Sequence, residues 1–102
     1  MIPLVCRGGG SPSSKSAVIW FLVDTTSPFT CLSLKSLECL FGEAEHDQFY
    51  RVAIQDQKSE IMCEVSKGHF EEVNILGTDA LRYLRLSIVA DWNRWSFKLA
   101  QL

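Results

Sequence analysis

The stretch WFLVDTTSPFTCLS, residues 20–33, sets one carboxylate, Asp24, directly after four large hydrophobes and before Thr25, Thr26 and Ser27. An aspartate at such a junction can serve as an acid–base group, or it can hydrogen-bond nearby backbone amides as a turn residue. Read without the rest of the chain, the turn role is the simpler one. Other chemically capable residues are scattered. Cys6, Cys31, Cys39 and Cys63 include no C-x-x-C pair, and His46 and His69 stand far apart, which argues against a local zinc site. The thiols read as buried and reduced in an intracellular protein rather than as two bridges. His46, among Glu43, Glu45 and Asp47, reads as part of a solvated acidic loop, and His69 as a loop histidine. Lys15 follows Ser13 and Ser14 where a phosphate loop needs glycine. Neither a metal nor a cofactor is expected, and no Ser/His pair supports another enzyme class.

The elements that must position Asp24 follow from composition and periodicity. A chain of 102 residues, 47% hydrophobic and 22% charged, fits one globular domain over residues 1–102. A net charge of −2 gives no electrostatic pull toward nucleic acid or an anionic membrane. No apolar stretch reaches the roughly 18 residues that cross a bilayer, and the first residues do not read as a signal peptide.

Ile2–Cys6 is a short apolar run, and residues 8–16 read as a flexible Gly/Ser/Pro connector. Ala17–Val23 is unbroken apolar and predicts a strand buried on both faces. Phe29–Leu32 predicts another strand. Leu34, Leu37, Leu40 and Phe41 fall at helical spacing, with Ser33 as N-cap and Gly42 beyond the end. Tyr50, Val52 and Ile54, then Ile61, Cys63 and Val65, alternate with their neighbours and predict a hairpin turning at residues 56–58. Val73–Leu76 predicts a strand and Asp79–Leu84 a helix, in whose first turn Asp79 suits the dipole. Leu86–Ala90 and Trp95–Leu99 predict a closing hairpin on which Trp92 and Trp95 pack, a partner-binding patch being the alternative.

Two of these segments carry a resemblance. FLVDTTSPFTCLS resembles the Asp-Thr-Gly loop of retropepsin-like aspartic proteases, and VNILGTDALRYL resembles that family's second signature. YRVAIQDQKSEIMCEVS and LSIVADWNRWSFKL look like its later strands, in the right order. The resemblance implies a mainly β, retropepsin-like acid-protease barrel with one or two short helices. It implies catalysis by Asp24 paired with the same residue of a second copy, the two carboxylates sharing a proton to activate water. It further implies loop bracing by Thr25, a cleft at Thr26 and Ser27, and a structural signature at Ile75, Leu76 and Gly77. Terminal strands from PLVC and FKLAQL would join a dimer sheet.

Two departures shape the functional expectation. Thr26 stands where the family has glycine, which predicts a stiffened backbone and a narrowed pocket. Only residues 42–48 remain between the first helix and the hairpin, which leaves no room for a flap over substrate. The expected function is a catalytically degenerate domain acting as a structural or interaction subunit, in a homodimer or a heteromeric complex. The alternatives are an active homodimeric aspartic endopeptidase and a module that binds an extended peptide.

Overall fold

The computed structural model describes residues 1–10, 15–55, 58–68 and 71–101. The centre of the expected connector, the first part of the expected turn at residues 56–58, and His69 lie outside the described residues. Among those described, six strands close into a barrel in the order β1-β2-β6-β3-β5-β4. They are β1 (Ile2–Gly8), β2 (Ser16–Val23), β3 (Cys31–Leu32), β4 (Tyr50–Ile54), β5 (Glu60–Val65) and β6 (Asn74–Leu76). Helix α1 (Leu34–Phe41) follows β3, and α2 (Thr78–Tyr83) follows β6. A separate two-stranded sheet, β7 (Leu86–Asp91) with β8 (Ser96–Gln101), completes a mainly β fold with two short helices among the described residues.

Alternation fills the barrel. Leu4, Cys6, Ile19, Phe21, Val52, Ile54, Ile61, Cys63 and Val65 point inward and are buried, as side chains of period two must when one face of each strand is covered. The β4–β5 hairpin has the expected register, with Val52 opposite Ile61 and Tyr50 opposite Cys63. Ser33 caps α1, its hydroxyl accepting from the Ser36 amide at 3.1 Å. Gly42 ends it at φ 86°, donating to the Glu38 carbonyl. That left-handed conformation suits glycine.

Three expectations change. β2 is buried on one face only: Ile19 and Phe21 enter the core, while Val18, Trp20 and Leu22 lie on the exposed outer wall. An unbroken apolar run carries no alternation, so it cannot say whether a second layer covers its far face. The strand expected over Phe29–Leu32 shrinks to Cys31–Leu32, because Thr30 is used as a tie. The PLVC segment lies in β1, which pairs with β2 along Ile2–Arg7 and with β4 at Cys6–Gly8. The expected connector is also narrower, since Gly8 ends β1 and Ser16 begins β2.

Strand β6 positions the candidate site. It runs parallel to β2 and antiparallel to β3, lying between them. The chain leaving β2 at Asp24 must therefore loop around the end of β6 before returning as β3.

Candidate functional site

That topology brings the two quoted segments together. Val23 pairs with Leu76, and the Asp24 amide donates to the Leu76 carbonyl at 3.1 Å. The Thr78 amide at the start of α2 donates to the Ser27 carbonyl at 2.8 Å. Gly77 lies at this crossing. Its φ of −87° is open to any residue, so its value here is space. A Cβ on Gly77 would overlap the Phe29 carbonyl and come within 2.9 Å of the Ser27 oxygen.

The turn at residues 24–27 is built on the Asp24 side chain. Its Oδ1 accepts the Thr26 amide at 2.9 Å and the Thr26 hydroxyl at 2.5 Å. The Ser27 amide donates to the Asp24 backbone carbonyl at 3.2 Å. Charged acceptors are stabilised by such donors. The Thr26 hydroxyl first, and its amide second, hold the Asp24 carboxyl below the usual carboxylate range. Thr26 is exposed, and its φ is not positive, so the β-branched side chain carries no backbone strain there. Its consequence is electrostatic: it occupies one oxygen of the only aspartate in the loop. Thr25 is exposed, and the Ser27 hydroxyl donates to the Phe29 carbonyl at 2.8 Å, folding back on the loop. Ile75 lies opposite both Leu22 and Cys31 in the sheet, and Leu76 is fully buried.

A second polar cluster lies inside the crossing. Thr30 is fully buried, and its hydroxyl donates to Asp79 Oδ1 at 2.6 Å while accepting the Gly77 amide at 3.1 Å. The Thr30 amide reaches Asp79 Oδ2 at 3.2 Å, and the Ala80 amide donates to Oδ1 at 2.7 Å. Asp79 therefore joins the loop to α2, a larger role than the dipole partner read from sequence. Asn74 does similar work, accepting from the Ser33 amide at 2.8 Å and donating to the Trp20 carbonyl at 3.1 Å. The signal for both ties was a polar residue set in an apolar run, since a buried hydroxyl or amide must find a partner.

Other candidates lie apart from this loop. His46 is exposed and lines a groove with Glu38, Glu71 and Glu72 along α1. Among the described residues, no three His, Cys, Asp or Glu side chains converge as a metal set. Burial pushes the Cys6 thiol up to about 12 and raises Cys63 further, which makes both poor nucleophiles. Trp92 and Trp95 do not pack on the hairpin: they are 76% and 87% exposed, because they sit in its turn, beyond the strands' apolar face.

Chemically, the loop presents one ionised, hydrogen-bonded carboxylate on an accessible turn. The other carboxylate at the crossing, Asp79, is committed inward. Comparison with family models, curated proteins and solved structures returned no match.

Proposed function

We propose that the chain is a catalytically degenerate, retropepsin-like domain that serves as a structural or protein-interaction subunit. The observation that carries this reading is the pair of Thr26 donors on a single oxygen of Asp24. Aspartic catalysis needs two carboxyls that share a proton, one accepting it from water while the other offers it to the carbonyl. A carboxylate stabilised by a hydroxyl and an amide of its own loop is biased toward the ionised form and against holding that proton. The chain has one such loop, and among the described residues the other carboxylate at the crossing, Asp79, is tied to Thr30.

The alternative, an active homodimeric endopeptidase, is favoured by one observation. The loop, β6, Gly77 and α2 form a tightly bonded junction of the kind a working site requires. Cleavage of a peptide library at acidic and neutral pH, by the unmodified chain and by Asp24→Asn and Thr26→Gly, separates the two. The proposal expects no cleavage by the unmodified chain. Cleavage that disappears in Asp24→Asn would overturn it in favour of the endopeptidase.

A further inference from the structure

The outer half of the β7–β8 hairpin exposes hydrophobes on both of its faces. Ile88 with Leu99 and Ala90 with Phe97 share one face; Val89 with Lys98 and Asp91 with Ser96 share the other. On the first face Leu99 packs against the barrel core, while Ile88 and Phe97, further out, are exposed. On the second face Val89 is exposed as well. Trp92 and Trp95 crown the turn with their rings mostly uncovered. Trp95 is held there at φ 52°, a left-handed conformation that bulky residues seldom adopt.

Charge is distributed as unevenly as apolar surface. The net −2 of the chain averages over two unlike parts. Residues 85–102 hold Arg85, Arg94 and Lys98 against Asp91 alone, a net of +2, and residues 1–84 carry −4. Asp91 is engaged within the turn. Its Oδ1 accepts the Asn93 amide at 3.1 Å and the Arg94 amide at 3.3 Å, and its Oδ2 lies 3.7 Å from Arg94 Nε. Two turn amides therefore have partners inside the turn, which lowers the cost of carrying that backbone into a medium poor in water.

We propose that the hairpin tip docks on the surface of a bilayer rich in anionic lipid. Trp92, Trp95, Phe97 and Ile88 enter the interfacial layer, and Arg94 and Lys98 meet the headgroup phosphates. A projecting turn with hydrophobes on both sides suits a medium that surrounds it, whereas a folded partner covers one side and leaves the other wet. An indole, apolar in body and with one N–H donor, is well placed at the boundary between acyl chains and headgroups. Lys98 stands three residues from Trp95, about 10 Å along an extended strand, so its ammonium reaches the headgroups when the indole lies at that boundary. The sign of these charges selects an anionic leaflet. Single-stranded nucleic acid also binds cations and aromatic rings, but Ile88 and Val89 offer its bases no face to stack on. The contact lies on the membrane and does not span it. Docking by the hairpin is independent of what the Asp24 loop does, and peptide cleavage by the chain leaves it untouched.

Flotation with vesicles tests this, using phosphatidylcholine alone and phosphatidylcholine with about one-third phosphatidylserine. The unmodified chain should bind the anionic vesicles, and the neutral ones more weakly. Trp92→Ser/Trp95→Ser should weaken binding by at least about tenfold, the transfer contribution of one large side chain. Its melting temperature should match the parent's, since both rings are exposed, so that lost binding reports the tip and not unfolding. Lys98→Gln should weaken binding about fivefold on the anionic vesicles and leave the neutral ones unchanged. In Trp20→Phe the hairpin tryptophans are the only indoles left, and their emission should shift to the blue when anionic vesicles are added. The proposal is overturned by an absence of vesicle binding, by binding that persists in the tryptophan variant, or by a Lys98→Gln effect equal on both vesicles. Capture of a single-stranded oligonucleotide in place of the anionic vesicles overturns it too.

Discussion

Gly77→Ala should destabilise the domain by about 3–4 kcal/mol, although it adds one methyl group at a backbone conformation that alanine adopts freely. The added Cβ overlaps the Phe29 carbonyl and approaches the Ser27 oxygen, and both neighbours are backbone. Forcing a methyl into a packed site costs about 1–3 kcal/mol. Any shift that relieves the overlap also stretches two hydrogen bonds, from the Gly77 amide to Thr30 and from the Thr78 amide to Ser27. Each contributes about 1 kcal/mol. For a domain of this length, a loss of that size lowers the melting temperature by roughly 12–30 °C. Urea denaturation should show a lower midpoint with an unchanged slope, since the native fold is kept and only its stability falls. A variant within about 0.5 kcal/mol of the parent would show that the crossing has room, and would refute the close approach on which the site geometry rests.

Thr30→Val keeps the shape but strands the Gly77 amide and removes one of the three donors to the Asp79 carboxylate, and should cost about 2–4 kcal/mol in urea unfolding; Asp79→Asn, which still accepts from Thr30, should cost less. Thr26→Val removes the hydroxyl bonded to Asp24, so the Asp24 titration followed by carboxyl NMR should move upward toward the ordinary value of 3.8. A depressed folded-state value stabilises above the unfolded one and is lost as pH falls through the folded one, so the variant should also lose less stability on acidification below that range. Thiol labelling of the native chain should modify exposed Cys39 first, half-buried Cys31 more slowly, and buried Cys6 and Cys63 only on unfolding; native labelling of Cys63 at the rate of Cys39 would contradict its place in the core.

Much of the architecture was legible because it is local. The helix from Leu34 to Phe41 announces itself by spacing, a serine cap and a terminal glycine. The β4–β5 hairpin announces itself by alternation. The second helix begins one residue before the Asp79 that the sequence predicts, because its start is fixed by the Thr78 bond to Ser27, a contact made across the chain. The exposure of Trp20 and Trp95 was not legible for the same kind of reason. A run of hydrophobes records affinity for a covered environment, and whether the chain itself supplies the cover depends on which elements come to lie against it.

The candidate site divides along the same line. By itself the sequence determined that a single aspartate follows a β-strand, that a threonine stands two residues on, and that a glycine precedes a second helix. Only the tertiary structure decided that β6 lies between β2 and β3, that Gly77 sits against the Phe29 carbonyl, and that Thr30 and Asp79 join the two segments from within. The reason is physical. Hydrogen bonds between residues 47 and 49 positions apart are specified by closure of the barrel, which buries a hydroxyl and an amide and leaves each only the other segment as a partner.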